Sequence, residues 1–173
     1  MEDWETVVRR HSGIVWQTAW RLLGDRQDAA DCFQETFLEA LTLSRRQPVR
    51  SWPALLVRLC TFRALDRLRH RIRVRNSECE LSDWASVASG GAGPVASAEA
   101  AELTARLRHA LALLPPRSAA VFCLHVLDGE SYREIAAQFG MRESAVGVLL
   151  HRVRARLREM LSAALAAEDV EVP

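Results

Sequence analysis

The segment Leu127-Asp-Gly-Glu-Ser131-Tyr-Arg-Glu-Ile135-Ala-Ala-Gln-Phe-Gly140-Met-Arg-Glu-Ser-Ala-Val146 runs on into Leu150-His-Arg-Val-Arg-Ala-Arg-Leu-Arg158 and reads as two helices joined by a tight turn. Ser131 and Glu134 have the S-x-x-E spacing of a capping box, so a helix is predicted from Tyr132. Ile135, Ala136 and Phe139 give it an apolar face, and Gly140 supplies a left-handed residue that stops it. Val146, Leu150, Val153, Leu157 and Leu161 follow at steps of 4, 3, 4 and 4, the buried stripe of a second helix. A cap, a turn and a basic helix end together predict a helix-turn-helix whose second helix enters a DNA major groove. An ordinary helical hairpin in a bundle core is the plainer alternative.

Around this motif the composition favours an all-α fold. The chain has 173 residues, 49% of them apolar, with Ala and Leu dominant and few β-branched runs. All its basic residues are arginine, which suits phosphates and guanine edges but equally fits a GC-rich genome. Net charge is +1, so only its distribution is informative. Residues 45–75 hold ten arginines against one acid, Asp66. Residues 76–105 carry Glu78, Glu80, Asp83, Glu99 and Glu102 with no base. Arg142, Arg152, Arg154, Arg156 and Arg158 then face only Glu143 and Glu159. Two basic blocks about an acidic connector suggest two nucleic-acid contacts.

Cys32, Cys60, Cys79 and Cys123 show neither metal-ligand nor disulfide spacing, so reduced thiols and no metal or other cofactor are expected. The acidic N-terminus has no signal-peptide pattern, and no apolar run approaches membrane-spanning length. A soluble, cytoplasmic protein without membrane insertion is expected. Cys123 and His125 at i and i+2 point to different faces of a helix, the other histidines have no partners at ligand spacing, and no Gly-rich phosphate loop occurs. We expect no catalytic residues and no enzyme activity.

The periodicity predicts a first helix over 3–23, stopped at Gly24, and a second over 26–43, capped by Asp25. The second carries an apolar stripe of Ala30, Phe33, Phe37 and Leu41, and an acidic stripe of Asp28, Asp31, Glu35 and Glu39 offset by two residues. An offset of about 200° sets the acids opposite the core as a negative ridge. Such a ridge is a solvated face or a site for a basic protein surface, never for phosphates. Ser51-Trp52-Pro53 starts a third helix, expected to run to about Arg73, with Leu55, Leu59, Phe62, Leu65, Leu68 and Ile72 inward. Asp66, three residues from Arg63 and Arg69, is expected to orient those arginines. Ser-Gly-Gly-Ala-Gly-Pro at 89–94 reads as a flexible connector. The expected organisation is two small helical domains, 1–75 and 99–165, joined by a flexible acidic linker over 76–98 and followed by an acidic tail over 166–173.

Three separated features resemble one family. Asp28-Ala-Ala-Asp-Cys-Phe-Gln-Glu-Thr-Phe37 resembles the polymerase-binding signature of bacterial extracytoplasmic-function sigma factors. Leu56-Val-Arg58-Leu and Ala64-Leu-Asp66-Arg-Leu-Arg69 are similar to their promoter-melting, minus-ten-reading helix. Leu114-Pro-Pro-Arg117 through Leu157 looks like their minus-thirty-five-reading domain. The resemblance implies transcription initiation with core RNA polymerase. Asp28, Asp31, Gln34, Glu35 and Phe37 would then meet the β′ clamp coiled coil, and the helix of 117–127 the β flap. Arg58, Phe62, Arg63, Arg67, Arg69 and Arg71 would lie along minus-ten promoter DNA. Arg142, Gly147, Val148, His151, Arg152 and Arg154 would face the minus-thirty-five element. An anti-sigma factor is a further implied partner.

Two departures stand out. Phe62 occupies a position where the family usually has asparagine, and can stack or pack but not hydrogen-bond a base edge. Gly147, Val148 and Leu149 replace a common run of polar residues and donate no side-chain hydrogen bond to guanine, although Val148 can touch a thymine methyl. The alternatives are a plain helix-turn-helix regulator, or a degenerate relative that binds polymerase but reads DNA weakly.

Overall fold

The computed structural model describes residues 3–79 and 98–168, with side chains described for 3–75 and 98–162. The order is α1 (Trp4–Leu23), α2 (Arg26–Ser44), α3 (Trp52–Cys79), α4 (Ala98–Leu113), α5 (Pro116–Val126), α6 (Tyr132–Phe139) and α7 (Glu143–Glu168). No strand occurs among the described residues. The helices form two compact units, α1–α3 and α4–α7. The connector read at 89–94 lies outside the described residues, as do residues 169–173 of the acidic tail.

In the first unit each helix packs on the other two. α1 ends at Gly24, whose φ of 64° lets its N–H bond Trp20 O. Asp25 then accepts from the Asp28 N–H and opens α2. The buried face of α2 is Ala29, Cys32, Thr36, Phe37 and Ala40, so the expected stripe of Ala30, Phe33, Phe37 and Leu41 is displaced by one residue. Small side chains line this seam, with Thr36 Oγ1 donating to Cys32 O at 2.7 Å, while Phe33 stays at the rim edge-on to Trp16. α3 continues past Arg73 to Cys79, beyond the expected end and into the span assigned to the linker. Its buried side is Leu56, Val57, Leu59, Cys60, Thr61, Ala64, Leu65 and Leu68. Leu55, Phe62 and Ile72, expected inward, are half-buried.

In the second unit α5 is buried from Ala119 through Leu124, the all-round apolar pattern of a central helix. α7 packs on α4, α5 and α6. Val146, Leu150, Val153 and Leu157 are its buried stripe, as the spacing predicted, and Leu161 is half-buried. The capping box at Ser131 is complete, with the Glu134 N–H bonding Ser131 Oγ at 3.2 Å and the Ser131 N–H bonding Glu134 Oε2 at 2.8 Å. Gly140, at φ 61°, closes α6. Arg117 ties α5 to that end, donating to Phe139 O at 2.6 Å and lying over the Phe139 ring.

The cap makes a pH-dependent contribution. The bonds from the Ser131 hydroxyl and N–H hold the Glu134 carboxyl below its usual range. A depressed folded value means the contribution is present above the unfolded pKa and is lost as pH falls through the lower folded value. Ser131→Ala is expected to destabilise the second unit by about 1 kcal/mol near neutrality. The gap from the unsubstituted chain should narrow once Glu134 is protonated. Urea midpoints across an acid series measure this, and a gap independent of pH would rule out the carboxylate's part in it.

Candidate nucleic-acid and partner interfaces

The acid stripe of α2 follows the same one-residue displacement. Asp28, Asp31, Glu35 and Glu39 each precede a buried residue of α2, about 100° from the core rather than opposite it. They border the seam with α3, and an arginine ladder meets them there. Arg63 Nε donates to Glu39 Oε2 at 2.8 Å, and its Nη1 to Glu35 Oε2 at 3.3 Å. Arg67 Nη2 donates to Glu35 Oε1 at 2.7 Å and its Nη1 to Asp28 Oδ1 at 3.4 Å, with Asp31 Oδ2 at 3.8 Å. Arg71 pairs with Asp28 and donates to the carbonyl of Leu23 at 3.3 Å. The order Glu39, Glu35, Asp28 against Arg63, Arg67, Arg71 is that of two antiparallel helices. The bond with Glu39 raises the Arg63 pKa, reinforcing its charged form.

The ridge is therefore largely neutralised from within its own unit, and is not a bare negative face. Arg63, Arg67 and Arg71, expected along DNA, are engaged by it. The Asp66 expectation also changes, because Arg63 reaches Glu35 and Glu39 instead. The ladder's outer edge remains open: the Asp31 and Glu35 side chains are each 41% exposed, and Gln34 is exposed. Phe37 lies on the buried side of α2, as its place on the apolar stripe predicted, and not at the surface position the resemblance implied. At 6% exposure, edge-on to Trp4 and Phe33, it supports the helix from beneath and is not a surface contact. Arg58, Phe62 and Arg69 are half-buried on α3.

In the second unit the structure brings Arg142, Val148 and Arg152 around one open groove of about 690 Å³, with Leu114, Pro115 and Arg156. Its floor is apolar and its rim basic. Val148 is 52% exposed there, and Leu149 also lines the groove. Gly147, His151 and Arg154 fall on the adjoining stripe of α7, where His151 and Arg154 are exposed. Gly147 lies against α6, since a Cβ there would meet Tyr132 Cε2 at 3.4 Å, an ordinary contact. Gly147→Ala is thus expected to stabilise the second unit by about 0.5–1 kcal/mol through helix propensity. A lowered thermal midpoint in that variant would show that the Tyr132 contact is too tight.

Sequence reasoning missed three features: the ladder, the groove, and the contact of Cys32 with Cys60 across the α2–α3 seam. The ladder had a signal, because arginines at 63, 67 and 71 repeat the four-residue step of the acids at 31, 35 and 39. Among the described residues no three His, Cys, Asp or Glu side chains gather to hold a metal ion. No described helix is long and apolar enough to cross a membrane.

The described residues thus form two helical units, one with an acid–arginine seam and the other a helix-turn-helix with a basic exposed face. Comparison with known families places the chain. The family description Sigma-70 region 2 matches residues 7–74, and Sigma-70, region 4 matches residues 104–157. The ECF RNA polymerase sigma factor SigE of Mycolicibacterium smegmatis is 33% identical over 162 residues, covering 94% of this chain and 63% of the relative. The probable ECF RNA polymerase sigma factor SigI of Mycobacterium tuberculosis is 31% identical, with 90% and 54% covered. SigW of Bacillus subtilis, also an ECF RNA polymerase sigma factor, is 25% identical, with 90% and 87% covered. The chain thus spans between about half and two thirds of the length of the two mycobacterial relatives. Among solved structures, CnrH in complex with the cytosolic domain of CnrY superposes with a TM-score of 0.56 at 26% identity, covering 92% of this chain and 88% of that one. The sigma factor RpoE, in complex with the anti-sigma factor NepR from Bartonella quintana, shares the fold with a TM-score of 0.55 at 22% identity, covering 94% and 98%. The chain belongs to the sigma-70 family, as a member of its extracytoplasmic-function type.

Proposed function

We propose that this chain is a promoter-specificity subunit of bacterial RNA polymerase: it docks on the core enzyme, directs it to promoter DNA and assists strand opening, with no catalysis of its own. The observation that carries this reading is the presence of sigma-70 regions 2 and 4, in that order, on one chain. Docking uses the outer edge of α2, where Asp31, Gln34 and Glu35 offer a polar and acidic face to a basic surface such as the β′ clamp coiled coil. α5 meets the β flap. Promoter DNA lies along α3 and against Arg142, His151, Arg152 and Arg154, whose cationic and hydrogen-bonding side chains suit phosphates and base edges. The site of action is the cytoplasm. An anti-sigma factor fits as a further partner, because the RpoE sigma factor, which shares this fold, was solved bound to one.

The test separates docking from folding. Glu35 is unsuited to it, since it bonds both Arg63 and Arg67. Asp31 and Gln34 sit outside that pairing's strongest bonds, with Gln27 Nε2 donating to Asp31 at 3.3 Å. Asp31→Asn with Gln34→Arg is expected to weaken core-polymerase binding by about 100-fold, through lost charge complementarity and like-charge juxtaposition at the interface, without setting a cation beside Arg67. The thermal midpoint should hold nearly constant. Unchanged affinity in a pull-down with purified core enzyme would remove α2 as the docking face.

A second reading has its own observation. Gly147, Val148 and Leu149 themselves offer no side-chain donor to guanine. A chain that joins polymerase but reads the minus-thirty-five element weakly accords with that. Run-off transcription across a promoter library distinguishes the two, since a weak reader gives holoenzyme without selective transcripts.

A further inference from the structure

Cys32 on α2 and Cys60 on α3 face each other inside the first unit. Both are fully buried and reduced, with their Sγ atoms 3.9 Å apart. The Cys32 thiol donates to Cys60 O at 3.7 Å, and the Cys60 thiol to Val15 O of α1 at 3.5 Å. One thiol pair therefore touches all three helices. A single buried cysteine is commonly an inert packing residue. A second thiol in van der Waals contact changes the outcome of oxidation, because a sulfenic acid formed on one sulfur has its resolving partner already in place. The Cys32 thiol is also shifted below its ordinary pKa: the contact with Cys60 lowers it, burial opposes the shift, and the Arg67 charge assists.

We propose that Cys32 and Cys60 are a peroxide-responsive thiol pair, and that their reversible disulfide controls the docking edge of α2. The control half rests on the polymerase reading above. In the first step the Cys32 thiolate attacks one peroxide oxygen and the O–O bond breaks. Sulfenic acid forms, and the departing hydroxide takes the proton lost by the thiol to become water. The Cys60 thiolate then attacks the sulfenic sulfur, the S–O bond breaks and the S–S bond forms. The second hydroxide leaves as water with the proton of Cys60. Two thiols are oxidised by two electrons in all, and one peroxide is reduced to two waters. A small dithiol reverses the bond by exchange.

The consequence for docking follows from geometry. A disulfide bond is about 2.05 Å long, so sulfurs now 3.9 Å apart must close by roughly 1.9 Å. The movement falls on the seam where Arg67 meets Asp28, Asp31 and Glu35. Asp31 adjoins Cys32 in the chain, so the part of the closing taken up by the α2 backbone moves it. Oxidation therefore displaces the acids on which docking relies.

The experiment treats the full chain with hydrogen peroxide under native conditions, followed by peptide mapping and core-polymerase binding. We expect a linked peptide joining Cys32 to Cys60, removed by dithiothreitol. The oxidised chain should bind core enzyme about five-fold or more weakly and recover on reduction. Cys60→Ala should keep the reduced chain's affinity and ignore peroxide, and Cys32→Ala replaces it if that variant fails to fold. Oxidation confined to Cys79 or Cys123 would overturn the site. A linked peptide with unchanged affinity would overturn the control of docking. A chain that binds polymerase in neither state would overturn the polymerase reading and the control half with it, while the peptide map still decides the bond.

Discussion

Arg67→Ala is expected to lower the stability of the first unit by about 2–3 kcal/mol at neutral pH, the largest effect of any single change on the ladder. The Arg67 side chain is 25% exposed and lies within 4 Å of Asp28, Asp31 and Glu35. Removing it leaves three carboxylates side by side on one edge of α2, with one guanidinium fewer opposite them. The expected loss is kept below the range for a fully buried pair, because Asp31 and Glu35 retain solvent. It should shrink at high ionic strength, where repulsion among the remaining acids is screened. Urea unfolding at low and high salt measures both quantities. A cost below about 0.5 kcal/mol at low salt would reduce the ladder to an ordinary surface ion-pair set.

Leu150→Ala should act comparably on the second unit, with an expected loss of about 3 kcal/mol. Leu150 is fully buried on α7, the helix that packs on α4, α5 and α6, so the cavity falls at the centre of the helix-turn-helix. A core of this size rarely supplies more than about 3–5 kcal/mol, so a loss of this size removes most of the second unit's stability. Amide hydrogen exchange should speed up across α5–α7 while α1–α3 keep their protection. Equal acceleration in α1–α3 would show that the two units do not unfold separately.

Local chemistry made much of this architecture legible. Gly24, Asp25, Ser131, Glu134 and Gly140 act on backbone groups within four residues of themselves, so their caps could be read from the sequence and the helix ends followed. The stripe of α7 was legible for a similar reason, its side being marked by large residues at regular steps. α2 was harder. Phe33 and Leu41 dominate its hydrophobic pattern, yet the close seam is built from Ala29, Cys32, Thr36 and Ala40, whose small size is what lets three helices approach. Assigning the aromatic stripe to the core turned the acids outward and hid their partners. The ladder also joins residues 24 to 43 apart, a separation across which periodicity within one helix carries no information. The continuation of α3 through Val74-Arg75-Asn76 was missed because no apolar stripe marks it. The acidic residues along the edge of α2 were identifiable from the sequence, and their neutralisation required the packing.

Arg71 has a mechanical consequence. Its guanidinium joins the last turn of α1, through the Leu23 carbonyl, to the first turn of α2, through Asp28, while its own backbone belongs to α3. It works as a pin through three rods. Sliding α1 lengthwise would strip the carbonyl bond, sliding α2 the charge pair, and sliding α3 both, so each relative shift within this unit costs at least one of Arg71's contacts.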